Sequence, residues 1–502
     1  MRNSRIGINI ASSLLQQAVS VICGFIVPRL ILSNYGSAYN GIVSSVSHFL
    51  SCITLLRAGI GGVTRAALYK SLAENETEKT AAIVKATEHF MRKIALIFSV
   101  SLLLFAAVYP LLVKEEFDWL FSFTLVLILG VSTIIQYYFG ITNQFLLHAD
   151  QRLYVSNIWN TVSVILNALL SVLLIRAGVD IRLVKLGSAA AFSITPIMLY
   201  FYVRQRYAFK KKVTPDFGAI QQRWDAFAHQ LAAFIHSNTD VVLLTLFANL
   251  MQVSVYTVYT AVTGGINTLI LTAANTMEAA LGKTIAQKEE KSLRQSVEAY
   301  ELAVHIISSI LFSCTAMLLV PFVMVYTRGV QDVNYNRPMV GYFMCLAYWI
   351  SAIRLPYQNV IEASGCFKET KKYAIAEAVL NISTSCVFVT FFGIEGVLIG
   401  TIVAMTYRTL CYVKYAFMNI LKQPVTGFRK RIFVSMLSLF LVFVPYFACK
   451  ADVHLGDNVM NYTQWVVAAI VTASYVSTVI VSINCLFYRD KMRGLIKMLI
   501  RR

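Results

Sequence analysis

The octapeptide Ala66-Ala67-Leu68-Tyr69-Lys70-Ser71-Leu72-Ala73 has a counterpart 213 residues later, in Ala279-Ala280-Leu281-Gly282-Lys283-Thr284-Ile285-Ala286. Both segments close an apolar run and lead into a charged stretch. A second set of matches has nearly the same spacing. Gln144, Ala149, Leu166 and Asn167 correspond to Gln358, Ala363, Leu380 and Asn381, 214 residues on. Each match is weak alone, but two at nearly one offset, in corresponding places, indicate an internal duplication. The unit is roughly 1–212, its copy 213–425, and 426–502 has no counterpart.

The chain surrounding these segments is a succession of apolar runs. Of its 502 residues 57% are hydrophobic and 14% charged, whereas soluble domains carry about 25% charged and about 45–50% apolar residues. A soluble fold of this composition would lack the polar surface to cover its core, so lipid is the expected solvent. About fourteen runs reach the roughly 20 residues that cross hydrocarbon as a helix. They lie near residues 7–31, 38–62, 91–113, 119–147, 154–175, 183–203, 225–248, 252–277, 300–326, 338–363, 373–392, 396–418, 431–449 and 463–487. The first run, Ile6 to Ile31, is too long for the apolar region of a cleavable signal and lacks an evident cleavage site, so it reads as a membrane helix. The expected fold class is an all-α polytopic membrane protein: two parallel-repeat six-helix bundles plus two appended C-terminal helices.

A net charge of +19 raises the question of nucleic acid, and the placement of the charges excludes it. Lys and Arg gather in short clusters between apolar runs, as in loops retained in the cytoplasm. With the N-terminus inside, the inner loops include 63–90, 204–223, 278–298, 364–372 and 419–430. The inside then collects about 32 basic residues and the outside about 7, as the positive-inside rule requires. Both termini are expected to be cytoplasmic. An even number of helices per repeat inserts both copies in one orientation, which places a substrate site between the halves. Arg204 to Lys212, followed by Pro215, is the expected linker. In the tail, Met492, Leu495, Ile496, Leu499 and Ile500 share one helical face and Arg493, Lys497, Arg501 and Arg502 lie elsewhere. This suits a helix on the inner leaflet beside anionic headgroups; the alternative is a basic tail that only fixes topology.

No enzyme signature is present: no phosphate-binding loop, no H-E-x-x-H, no G-x-S-x-G on a strand-to-helix turn. The nine cysteines are scattered through apolar runs without a C-x-x-C pair, as expected of free structural thiols. Gly59, Gly61 and Gly62 fit close helix packing or a hinge. Ionisable residues within the spans are the functional candidates, because a charge in hydrocarbon is costly. Arg354 is the first, near the middle of its span and two residues before Pro356. A deep guanidinium suits a phosphate or pyrophosphate, giving paired hydrogen bonds from a permanent charge; a structural ion pair is the alternative. Asp240 and His236 are four apart on one face. They could couple a proton or sodium ion, or Asp240 could neutralise an arginine such as Arg354. Arg29 and Arg57 either face a cavity or reach to the interface. Arg408 is the candidate in the twelfth span, Lys414 an interfacial anchor there, and His48 a hydrogen-bonded packing residue. No cofactor is expected beyond a possible H+ or Na+.

Three stretches resemble the polysaccharide transporter family of O-antigen and oligosaccharide flippases, within the larger group that holds MATE-type exporters and lipid II flippases. The first runs from Val27-Pro28-Arg29-Leu30 to Asn34-Tyr35-Gly36-Ser37-Ala38-Tyr39-Asn40-Gly41. The second joins Asn238-Thr239-Asp240 to Val253-Ser254-Val255-Tyr256. The third begins at Arg354, passes Glu362-Ala363-Ser364-Gly365 and Lys368-Glu369-Thr370, and ends at Gly393-Ile394-Glu395-Gly396-Val397. The resemblance implies two six-helix lobes flanking a cationic cavity that opens alternately to each side. It implies a lipid-linked (undecaprenyl-diphosphate) oligosaccharide as substrate, with Arg354, Arg29, Arg57 and Arg408 near the pyrophosphate. A bacterial inner membrane, and polymerase or glycosyltransferase partners, would follow. The competing readings are a flippase for a peptidoglycan or spore-wall precursor, a MATE-type drug exporter, which would want carboxylates where this chain has arginines, and a non-transporting scaffold.

Overall fold

A computed structural model describes residues 2–54, 60–74, 76–207, 213–218, 238–286, 290–452 and 461–493. These residues are helical almost throughout, with no strand among them. The first half contains α1 (Arg2–Tyr35), α2 (Ser37–Thr54), α3 (Ile60–Ala73), α4 (Thr77–Leu112) and α5 (Trp119–Ile135). A π-helical turn, Gln136–Gly140, joins α5 to α6 (Ile141–Ala149); α7 (Leu153–Arg176) and α8 (Ile181–Tyr207) follow. Then come α9 (Asn238–Phe247), α10 (Leu250–Ala286), α11 (Glu290–Tyr326), α12 (Pro338–Ala363), α13 (Phe367–Phe392) and α14 (Ile394–Tyr415). The last two are α15 (Thr426–Asp452) and α16 (Tyr462–Phe487).

Eleven helical segments among the described residues are long and apolar enough to cross a membrane. Only helices close every backbone hydrogen bond within themselves, which an apolar run in lipid requires. Of the other three expected spans, 252–277 lies within α10, and the described parts of 38–62 and 225–248 fall in α2 with the start of α3, and in α9. Two expected inner loops, 63–90 and 278–298, are largely helix instead: α3 and α4 fill the first, and α10 and α11 enter the second from either side. Their charged residues sit on helices that extend past the apolar runs. Ala149 and Ala363 both end helices, 214 residues apart.

The chain forms two compact units, Met1–Ser254 and Val255–Arg502. The first includes α9, which the sequence repeat assigns to the second half. Hydrogen bonds join α2 to α9 and to the first turn of α10. The Asn40 side chain donates to Ser254 Oγ at 2.9 Å across 214 residues, close to the repeat spacing. Tyr109 and Thr245 both donate to Ser45 Oγ at 2.9 Å. His48 Nδ1 lies 3.0 Å from Asn238 Oδ1, so His48 is the hydrogen-bonded packing residue expected. Gly41 is required by close approach, since a Cβ there would collide with the Leu250 carbonyl.

In the second unit, α13 and α14 form a hairpin joined by the single residue Gly393, whose φ of 58° favours glycine. A Cβ at Gly396 would strike the Phe388 carbonyl, and one at Gly400 would strike Ser385. This small-residue pair, four apart, lets two backbones approach closely where lipid gives no hydrophobic drive. The appended α15 and α16 pack on α11 through Val434, Val442, Val476 and Ile480 against Leu302, Ile306 and Met317.

Candidate functional site

The α13/α14 hairpin determines what can meet Arg354. Counting outward from Gly393, Glu377 and Arg408 fall at nearly the same level of two antiparallel helices, and α12 brings Arg354 against both. Arg354 Nη1 donates to Glu377 Oε1 at 2.9 Å, and Arg408 Nη1 pairs with Glu377 Oε2. The side chains are 7% exposed for Arg354, 2% for Glu377 and 14% for Arg408. Arg408 Nη2 also donates to the Tyr412 hydroxyl at 3.0 Å, and its guanidinium lies 4.8 Å from that ring's centre. Thr409 Oγ1 donates to the Ile350 carbonyl at 3.4 Å, tying α14 to α12 beside the cluster.

Two guanidiniums sharing one carboxylate leave a net positive charge of one inside an apolar bundle. Buried ions hold only when paired and hydrogen-bonded, and here the pairing stops short of completion: Nε of Arg354 and of Arg408 are both buried without a hydrogen-bond partner. One turn along α13, Asn381 Nδ2 donates to Thr401 Oγ1 at 2.9 Å, while Asn381 Oδ1 is buried without a partner. The two arginines therefore have donors to spare, and Asn381 an acceptor. Among the described residues no group of three His, Cys, Asp or Glu could hold a metal ion.

Of the residues expected from sequence, Arg354 and Arg408 come together. Arg29 lies on α1, partly buried, in the first unit. Asp240 is buried in the first unit on α9. Within the second unit the carboxylate that meets Arg354 is Glu377. Arg57 and His236 lie outside the described residues. Glu377 escaped notice because it follows Lys371 and Lys372 near the start of its span, like an interfacial residue. Its distance from Gly393, matched by that of Arg408, is the signal that would have found it.

These features define a multi-pass helical membrane protein with a buried, partly compensated arginine pair. Solved structures of the same fold are transporters and flippases rather than enzymes. The chain is similar to the lipid II flippase MurJ in an inward closed conformation, at a TM-score of 0.70 and 15% identity, with 96% of this chain and 100% of that one covered. It is also similar to an inward-facing MATE multidrug transporter of the MOP superfamily, at 0.64 and 14%, covering 82% and 98%. A eukaryotic MATE transporter matches at 0.56 and 12%, covering 86% and 98%. The likeness is one of fold. No protein-family model and no curated protein matches the sequence.

Proposed function

We propose that the protein is a flippase that carries an undecaprenyl-diphosphate-linked oligosaccharide from the cytoplasmic to the outer leaflet of a bacterial inner membrane, for cell-surface polysaccharide synthesis. The observation that carries this reading is the arginine pair. A diphosphate needs permanent positive charge in planar, two-pronged donors, and Arg354 and Arg408 offer it with Glu377 holding the place of the anion. An exporter of organic cations would want the opposite sign. The extent of the fold likeness supports the same choice. The lipid II flippase match covers 96% of the chain, the MATE matches 82% and 86%, and the difference is similar in size to the segment holding α15 and α16. A cleft of about 310 Å³ between α11, α12 and α15, lined by Phe312, Tyr342, Trp349, Leu439 and Phe443, offers apolar surface for part of a prenyl chain.

In this mechanism two six-helix repeats, 1–212 and 213–425, rock about the bound pyrophosphate, and the glycan crosses in a hydrated cavity while the prenyl chain stays in lipid. Arg29 and Arg57 supply further positive charge, and Asp240 with His236 is a candidate for ion coupling. The helix ends at Ala149 and Ala363, and the Asn40–Ser254 bond spanning 214 residues, support the duplication. Both termini are then cytoplasmic, and polysaccharide polymerases or glycosyltransferases are the expected partners.

The test is flipping of a fluorescent prenyl-diphosphate oligosaccharide in liposomes, with lipid II and a cationic dye as parallel substrates. Arg354→Ala should slow flipping roughly ten- to a hundredfold, the range for losing a hydrogen bond to a charged group of about 1.5–3 kcal/mol. Arg354→Lys should recover only part, since it keeps the charge and loses the fork. Full activity in both variants sinks the anion-site reading. Preference for lipid II moves the substrate to a peptidoglycan-type precursor, and dye export alone moves it to a MATE-type cargo.

A further inference from the structure

A second set of buried polar groups lies in the same unit, away from the arginine pair and unused by the mechanism above. Glu301 and His305 stand one turn apart on one face of α11, each 2% exposed. Facing them, also one turn apart, are Arg431 and Ser435 of α15. Arg431 pairs with Glu301, and the Tyr357 hydroxyl of α12 donates to Glu301 as well. His305 Nδ1 lies 3.0 Å from Ser435 Oγ, and the imidazole meets the Phe428 ring edge-on. His305 Nε2 is buried and has no hydrogen-bond partner.

Charge accounting shows what this arrangement can bind. Glu301 and Arg431 cancel, and His305 completes a neutral set only while it carries no extra proton. A proton added at Nε2 would make an imidazolium one turn from the Glu301 carboxylate, in competition with Arg431. Arg431 has somewhere to go, because its Nη2 already lies 3.2 Å from Glu298, a half-exposed carboxylate that Lys491 also reaches. One guanidinium thus spans a buried carboxylate and one at the rim. From α12 the facing titratable group is Tyr357; from α15 it is Arg431, with Lys430 outside; from the segment after α16 they are Tyr488 and Lys491. Among the described residues the carboxylates paired with these groups are Glu301 and Glu298.

We propose that Glu301 and His305 form a proton-binding site in which Arg431 shifts its pairing toward Glu298 as the proton enters. α12 connects it to the arginine pair, since Tyr357 follows Arg354 by three residues on that helix, so proton uptake changes a partner one turn from the anion site. The coupling clause rests on the flippase reading; the proton site itself does not.

The experiment therefore has two arms. In the first, wild-type protein labelled at its seven histidines is titrated by NMR in nanodiscs over roughly pH 5–8, the range in which imidazoles switch, without substrate. His305 is identified by the signal lost in His305→Asn, or, should that variant not fold, by the one kept when the other six histidines are replaced. The expected result is one titrating His305 signal, moved to lower pH by Glu301→Gln because the stabilising negative charge is gone. A His305 signal in one protonation state throughout overturns the proposal, whatever the protein transports. In the second arm, a pH gradient is imposed on liposomes carrying the prenyl-diphosphate substrate. A several-fold stimulation of flipping by the gradient, lost in Glu301→Gln and His305→Asn, is expected. Unchanged stimulation in both overturns the coupling, and a titrating His305 in a protein that flips nothing leaves the proton site standing and removes the flippase reading.

Discussion

The two units solve the same problem, polar groups inside lipid, in opposite ways. The first holds its helices with neutral hydrogen bonds: Asn40 to Ser254, Tyr109 and Thr245 to Ser45, His48 with Asn238. The second uses ions: Arg354 and Arg408 on Glu377, Arg431 on Glu301. Neutral bonds between membrane helices are worth about 0.6 kcal/mol on average, because the separated helices find other partners. A buried ion pair broken on one side costs about 3–5 kcal/mol, because the remaining charge has nowhere to go. The bonds around α2 can exchange at small cost, and the ionic clusters of the second unit hold unless a charge of the right sign arrives to replace the one displaced.

That contrast can be broken most forcefully at Glu377. Glu377→Ala leaves two buried guanidiniums without a carboxylate and should lower stability by about 3–5 kcal/mol, read as the midpoint of thermal unfolding in detergent. The triple variant Arg354→Met, Glu377→Leu, Arg408→Met should regain most of that loss while flipping stays absent, since well-packed apolar groups replace buried ions at little net cost. A triple variant as unstable as Glu377→Ala would mean that the cluster is held for packing and not for charge.

An intermediate effect is expected at Ser45. Ser45→Ala removes the acceptor shared by Tyr109 and Thr245 and should cost about 1–2 kcal/mol, two modest bonds. A loss as large as that of Glu377→Ala would erase the distinction between the units.

The smallest effect is at Asp180, in the turn before α8. Arg182 donates to both its carboxylate oxygens, at 3.0 and 2.9 Å, and holds the carboxyl below its usual range. The stability this supplies is present above the unfolded carboxylate value of about 3.9 and disappears as pH falls through the lower folded value. Because the pair is more than a third exposed, solvent and salt screen it to less than about 1 kcal/mol. Asp180→Asn should flatten the acid limb of the stability curve only slightly, and less still in high salt.

Charges in the middle of apolar runs were legible in the sequence, which is why Arg354 and Arg408 stood out. Charges near the ends of runs were not. Glu301 and Arg431 fall at the first residues of the runs 300–326 and 431–449 and read as interfacial. In the structure α11 begins at Glu290 and α15 at Thr426, so both residues are inside helices and packed against neighbours. Hydropathy reports where lipid begins, and packing between helices buries residues beyond that limit. The repeat was legible in part because helix ends recur with it at Ala149 and Ala363. Residues 55–59 and 219–237, which hold Arg57 and His236, lie outside the described structure.

The single-residue turn at Gly393 also bears on how the chain enters the membrane. Glu377 follows Arg354 by 23 residues and precedes Arg408 by 31, so the three charges leave the ribosome in alternating sign, one per helix. A lone charge at a helix centre opposes insertion by about 2.5–3.5 kcal/mol, and each of these helices would carry that penalty if released singly into lipid. Released together, the hairpin and the helix before it share the Glu377 carboxylate, so that one net positive charge enters hydrocarbon instead of three separate charges. Assembly at the insertion machinery is thereby coupled across three helices, and a nascent chain ending before Arg408 should remain there longer than one that includes it.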